Sequence, residues 1–299
     1  VGDHSPVAHR IAFLDVFAES PLAGNGLAVV LGADDLDSET MLRFARETRQ
    51  SETTFVQAAT AEGADYRNRI FTVESEIPFA GHPSLGTAVA VVRAAGEREA
   101  SLVQETGAGL QPIDVRIEDD RAHASMLQGP ASLGAELDGA AAMAAVGLEP
   151  ADGDPELPPQ LASTRLPTLI VPVAEPDALG RASPNFDAIE GLLGADPPNF
   201  YLVCWDPGAA RARARMFYRG VVGGEDPATG SAAGPLCAYL HERTGARGVR
   251  ITQGEEMGRP SELETAIEGD RIRVGGSVIP LIDGEVELPT AGRDTDGDA

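Results

Sequence analysis

GEDPATGSAA, residues 224–233, follows the turn-forming pair Gly223-Gly224 and precedes an apolar, alanine-rich run that reaches about Glu242. Two carboxylates, Glu225 and Asp226, stand before Pro227, and Thr229, Gly230 and Ser231 come after it. Proline in a first turn, small polar neighbours and a helix-forming tail predict a helix from about Pro227 to Glu242. Glycine there admits close approach to the backbone, and the unpaired N–H groups of a helix start attract anions. Taken alone, the stretch reads as an ordinary helix cap.

A second copy changes that reading. AGHPSLGTAV, residues 80–89, aligns with it so that His82-Pro83-Ser84-Leu85-Gly86-Thr87-Ala88 matches Asp226-Pro227-Ala228-Thr229-Gly230-Ser231-Ala232. Upstream, Arg67, Arg69 and Phe71 recur as Arg213, Arg215 and Phe217. The glycine offset is 230 − 86 = 144 and the arginine offset is 215 − 69 = 146, so strand and helix slip by two residues between the halves. This is the pattern of a duplication: two similar α/β domains, each presenting one helix start, with His82 and Asp226 facing each other across a pseudo-twofold axis.

These residues resemble the PhzF-like family, the phenazine-biosynthesis isomerases. GHPSLGTA, EDPATGSA and SETTF (Ser51–Phe55) carry the resemblance, and GNGLAVV (Gly24–Val30) and QGEEMGRPS (Gln253–Ser261) occur in the expected order. The resemblance spans roughly residues 9 to 290. It implies the diaminopimelate epimerase-like fold: two pseudo-symmetric α/β (α+β) domains, each a sheet wrapped around a central helix, with the active site between them. The domains are expected at 7–128 and 129–277. A last strand at about 278–290 is expected to pack back on the first, with an acidic tail over 291–299.

Composition bounds the partners. The chain of 299 residues has a formal net charge of −24, and all 23 of its basic residues are arginine. Such a surface repels nucleic acid and anionic membranes, so an acidic substrate needs a local positive site. A saline cytoplasm tolerates a dense acidic coat, because at about 1 M salt charges are screened within roughly 3 Å; GC-rich coding explains arginine without lysine but not the carboxylates. The two cysteines, Cys204 and Cys237, sit in apolar runs and read as reduced thiols. The histidines show no metal-ligand spacing, so neither metal nor other cofactor is expected. The N-terminal residues hold no apolar signal core, which points to the cytoplasm.

In chain order, Ser38–Thr48 reads as a helix capped by Ser38, Tyr66–Val73 as an alternating strand, and Pro83–Ala94 as the first central helix, with His82 just before it. Asn25 is either a turn residue or an amide aimed at a ligand. Glu52, at a strand start beside β-branched and aromatic neighbours, reads by itself as a surface carboxylate on a loop. The resemblance makes it the proton-transferring residue, for which burial would raise its pKa toward a useful range. The arginines at 211, 213 and 215 read as a solvated strand face.

Two helix starts aimed at one cleft make a positive site without lysine. The expected catalytic residues are Glu52, His82 and Asp226. The expected substrate contacts are Asn25, Gly81, Ser84, Gly86, Thr229, Gly230 and Ser231, of which Ser231 is similar to a substrate-contacting serine of the family. The implied function is a cofactor-independent isomerase that moves a proton between carbons of a small carboxylic acid. The alternatives are a catalytically silent acid-binding protein, or an epimerase or racemase on an amino-acid-like substrate. Proline-racemase-like enzymes carry thiols at the two helix starts, where this chain has Ala80 and, in the alignment above, Ala228. The family's members resemble homodimers.

Overall fold

The computed structural model describes residues 6–194 and 199–290. The expected acidic tail lies outside the described residues. The first half runs β1 (Pro6–Val16), β2 (Asn25–Leu31), α1 (Ser38–Thr48), β3 (Glu52–Gln57), β4 (Tyr66–Phe71), β5 (Glu76–Ile77), α2 (Gly81–Ala95), β6 (Glu99–Thr106), β7 (Gly109–Glu118) and β8 (Arg121–Gln128). The second runs β9 (Ser132–Glu136), α3 (Gly139–Ala144), β10 (Gln160–Ser163), β11 (Pro167–Val173), α4 (Pro176–Arg181), α5 (Phe186–Leu193), β12 (Asn199–Asp206), β13 (Arg211–Phe217), β14 (Glu225–Asp226), α6 (Gly230–Thr244), β15 (Gly248–Gln253), β16 (Ser261–Glu268) and β17 (Arg271–Pro289).

Pairing repeats between the halves. β1–β2 is antiparallel, β2–β3 parallel, β3–β4 antiparallel and β4–β6 parallel. β10–β11, β11–β12, β12–β13 and β13–β15 repeat that order. Each parallel step requires a crossover: α1, or α4 with α5, serves one, and α2 or α6 serves the other. The halves join where β17 pairs with β8, and the end of β17 then runs beside β1, from Val278↔Val16 to Pro289↔Pro6. The fold is the diaminopimelate epimerase-like α/β fold.

The two central helices share one core. α2 contributes Leu85, Ala88, Val89 and Val92, and α6 contributes Leu236, Cys237 and Leu240. α2 is buried without a break from Gly81 to Ala90, as expected of a helix wrapped by sheet. Each fully buried leucine is worth roughly 1.5–3 kcal/mol. Both cysteines are free thiols.

The structure corrects the register of the repeat. Both central helices have fifteen residues, beginning at Gly81 and Gly230 and ending on left-handed glycines, Gly96 and Gly245. The spacing is therefore 230 − 81 = 149, the same at both ends (245 − 96). The strand pairs agree, since Phe71↔Glu76 and Ile70↔Ile77 correspond to Phe217↔Glu225 and Met216↔Asp226. Glu76-Ile77-Pro78-Phe79-Ala80-Gly81-His82 is thus the counterpart of Glu225-Asp226-Pro227-Ala228-Thr229-Gly230-Ser231. The heptad match had paired residues inside the first helix with residues before the second. His82 lies in the first turn of α2, and α6 starts three residues after Pro227. His82 and Asp226 are not symmetry mates.

Two smaller readings also change. Asp37 caps α1 in place of Ser38, because its Oδ1 accepts from the Thr40 N–H at 2.8 Å. The arginine face of β13 is solvated only at Arg211. Arg215 is buried and donates from Nε and Nη2 to both oxygens of Glu225, at 2.8 and 2.7 Å. Its counterpart Arg69 grips Glu76 in the same two-pronged way.

Candidate active site

The two central helices meet at their N-termini. A Cβ on Gly81 would lie 3.1 Å from the Ser231 backbone nitrogen, and one on Gly230 would lie 3.7 Å from the Gly81 Cα. Glycine at both positions lets the helix starts close together. Around this junction opens a cleft of about 470 Å³. Glu52, Gly81, His82, Asp226, Thr229, Gly230 and Ser231 all line it.

Each polar side chain is held by a specific element. Glu52 begins β3, between β2 and β4. Asp226 sits on the two-residue strand β14, which the buried Arg215–Glu225 pair clamps from the neighbouring residue. Thr229, the N-cap residue of α6, donates from Oγ1 to Asp226 Oδ2 at 2.5 Å. Asn25 is buried behind the cleft and donates from Nδ2 to Asp226 Oδ1 at 2.8 Å and to the Ala228 carbonyl at 3.1 Å. Those two contacts use both of its N–H groups. A third contact runs from Asn25 Nδ2 to His82 Nδ1 at 3.2 Å. The Gly26 backbone favours a protonated ring, and Nε2 is the ring nitrogen that faces Glu52.

His82 Nε2 lies 3.4 Å from Glu52 Oε2, and neither atom has a hydrogen-bond partner among the described residues. Burial pushes the Glu52 carboxyl up to about 8, with the nearby Asp226 charge adding to it. Burial pushes His82 down to about 3. The contact is therefore between a neutral carboxyl and a neutral imidazole, not an ion pair. Asp226 is raised to about 6 by burial, opposed by its bonds from Thr229 and Asn25. Near pH 7 Glu52 is thus a protonated carboxyl, His82 a neutral ring and Asp226 a carboxylate. Among the described residues no arginine lines the cleft, so the helix N-termini are what offers an anion there a positive field.

Three of the expected contacts do not line the cleft: Asn25, behind it, Ser84 and Gly86. Ser84 Oγ donates one turn back to the Ala80 carbonyl at 2.7 Å. Gly86 packs α2 against the sheet, where a Cβ would collide with Leu27 and Val16. The positions just before the helices are Ala80 and Thr229, not Ala80 and Ala228, and neither carries a thiol.

Several residues escaped the sequence reading. Asn199 lines the cleft at the place in β12 that Glu52 holds in β3, because Leu27↔Glu52 corresponds to Thr168↔Asn199. Gln253 donates from Nε2 to the Asp226 carbonyl at 2.7 Å and to Thr229 Oγ1 at 3.0 Å, and accepts from the Tyr201 hydroxyl at 2.8 Å. Arg259 holds the glycine turn before β2, donating to the carbonyls of Gly24 and Ala23 and to Asp15. Ser261 Oγ donates to the Pro227 carbonyl at 2.8 Å. The QGEEMGRPS segment, conspicuous in the sequence but without a role there, thus ties both site loops together.

Across residues 14–284 the sequence matches the family of phenazine biosynthesis-like proteins, PhzC-PhzF. The chain belongs to that family. Among its phenazine biosynthesis-like relatives is the trans-2,3-dihydro-3-hydroxyanthranilate isomerase of Pseudomonas aeruginosa, 37% identical over 277 residues covering 89% of this chain and 93% of that protein. A PhzF-family protein of Bacillus anthracis has a similar solved structure, with a TM-score of 0.82 and 28% identity over 94% of this chain and 99% of that one. A predicted epimerase of Pseudomonas aeruginosa has a TM-score of 0.80 at 36% identity, covering 93% and 99%. The family is one of isomerases. No helix among the described residues is long and apolar enough to cross a membrane.

Proposed function

We propose that this enzyme moves a proton between two carbons of a small carboxylic acid, without a cofactor, using Glu52 as the proton carrier. The observation that carries this reading is the Glu52–His82 pair: two neutral, proton-exchanging groups whose facing atoms have no hydrogen-bond partner among the described residues. A carboxyl titrating near 8 is matched to carbon acid chemistry near neutral pH. In the step, Glu52 as carboxylate takes a proton from an sp³ carbon. The electron pair of the broken C–H bond moves into the adjacent unsaturated system. A new C–H bond then forms at its far end, with the proton returned by Glu52. The helix N-termini at Gly81 and Gly230 would hold the substrate carboxylate and stabilise the developing charge.

The name of the Pseudomonas aeruginosa relative supports a hydroaromatic amino acid of the dihydro-hydroxyanthranilate type as substrate. The test is solvent deuterium incorporation into such acids by the parent and by Glu52→Gln. Exchange that continues unchanged in the variant removes Glu52 from the mechanism. Binding without any exchange favours the silent binding protein.

The same reading extends to organisation. We assign residues 7–128 and 278–290 to one structural unit and 129–277 to the other, and the pairing of the β17 end with β1 supports that division. A cytoplasmic homodimer in a saline interior fits the family and the charge. Sedimentation in low and in molar salt tests this, and a monomer under both conditions would overturn the dimer.

A further inference from the structure

A second cavity, of about 280 Å³, adjoins the cleft. The two share Phe79, Leu166 and Ser231 as lining residues. They differ in charge. The cleft is lined by the carboxylates Glu52, Glu74 and Asp226 and by no arginine. The annex is lined by Arg165 and Arg271 and by no carboxylate.

Neither annex arginine has a carboxylate partner among the described residues. Arg165 lies 5.1 Å over the Phe79 ring and donates one Nη2 hydrogen bond to the Ala108 carbonyl at 3.1 Å. The remaining donors of its five-proton fork stay open. Arg271, at the start of β17, has no polar side-chain partner among the described residues. The Ser231 hydroxyl, at the wall common to both cavities, likewise has none. Two guanidinium groups without carboxylate partners line one hollow in whose described lining no carboxylate stands, an arrangement that suits an outside anion. Planar guanidinium forks suit a carboxylate in particular.

We infer that the annex is a subsite for a second carboxylate, so that this enzyme's preferred acids carry two acid groups. One sits at the junction of the α2 and α6 N-termini beside Glu52. The other reaches past Ser231 to Arg165 and Arg271. This rests on the carboxylic-acid reading of the cleft and adds a specificity element to it. It also supplies the local positive charge that an acidic ligand needs in order to approach a protein of net charge −24.

The experiment is calorimetric titration at low salt with anthranilate, its 4-carboxy and 5-carboxy derivatives, and the carboxymethyl homologues of those two. At least one diacid is expected to bind about tenfold more tightly than anthranilate, the effect of one charge-assisted hydrogen-bonded pair. The double variant Arg165→Gln/Arg271→Gln should lose that advantage and leave anthranilate binding unchanged. Both side chains are exposed, so an unaltered melting temperature checks that the variant is folded. The inference is overturned if no diacid exceeds anthranilate, if the advantage survives in the double variant, if anthranilate weakens equally, or if no probe binds. Its failure is distinct from that of the isomerase reading. Glu52→Gln removes exchange without touching the diacid advantage, whereas the arginine variant removes the advantage and leaves Glu52-dependent exchange on monoacids.

Discussion

The two halves present the same backbone to the cleft and opposite chemistry. Where the first half has Glu52, Asn25 and His82, the second has Asn199, Leu166 and Ser231. Where the second has Asp226 and Thr229, the first has Ile77 and Ala80. These correspondences follow from the strand registers and the 149-residue helix spacing (230 − 81). The frame repeats, with two glycine-marked helix starts and two arginine–glutamate clamps. The side chains differ, leaving the groups that titrate as proton carriers on one side and a hydrogen-bonded carboxylate with two hydroxyls on the other. Proton carriers on both sides would suit inversion at a single carbon. A one-sided site suits carrying a proton from one carbon to another.

The sharpest way to break this comparison is to exchange its extremes. Glu52→Gln should lower solvent deuterium exchange about 10³-fold, within the usual range for a general base. The mirror-position change Asn199→Ala should lower it less than about tenfold by the same measure. Equal losses would mean that the halves share the proton chemistry.

A second test uses pH. Glu52 titrates at about 8 when folded, against an ordinary value of 4.5. Between those values the native state keeps a proton that the unfolded chain has released. Stability should therefore fall as pH rises through that window and level off above about 8. Asp226, at about 6 against 3.8, adds a smaller fall in the same direction. Glu52→Gln should flatten the decline and be more stable than the parent at pH 8, by at most roughly 4 kcal/mol, read from urea unfolding at pH 5 and 8. Catalysis runs the other way, because the base form is needed: kcat/KM should climb to a plateau above about 8.

The clamps give a smaller contrast. Arg215 and Glu225 have 10% and 15% of their side chains exposed, and Arg215 also donates to the carbonyls of Leu179 and Ala182. Arg69 and Glu76 have 13% and 40% exposed. Arg215→Gln should cost about 3 kcal/mol of unfolding free energy, and Arg69→Gln about 1 kcal/mol. The smallest difference is at the helix junction. An alanine side chain at Gly81 meets the rigid Gly230–Ser231 backbone, whereas at Gly230 it meets first the edge of the Phe17 ring. Gly81→Ala should cost roughly 1–2 kcal/mol and Gly230→Ala less, measured by thermal unfolding.

Local signals carried much of the fold. The arginine alternation ahead of Phe71 and Phe217, the glycines at the helix starts and the proline-marked turns announce a strand–loop–helix unit occurring twice, because period and turn chemistry are properties of neighbouring residues. They also brought His82, Asp226, Thr229 and Ser231 into consideration, whereas Glu52 stood out only through the family resemblance. They misled where letters recur without equivalent backbone. His-Pro-Ser-Leu-Gly and Asp-Pro-Ala-Thr-Gly look alike, yet one is helix and the other strand and loop. Asn199 gave no local signal and Gln253 stood out only as part of the QGEEMGRPS motif, since nothing near either residue in sequence says what it meets in the fold.

The sequence by itself indicated that a strand, a loop and a small-residue helix start occur twice, and that lysine-free acidity disfavours polyanionic partners. Those are matters of composition and short-range spacing. Only the tertiary structure decided which residues are true counterparts, that His82 and Glu52 face each other as neutral groups, and that Ser84 and Gly86 pack α2 instead of lining the cleft. Strand register and burial are set by contacts between segments far apart in sequence, as in the bond from Asn25 to Asp226, 201 residues away. A pKa depends on the water those contacts exclude.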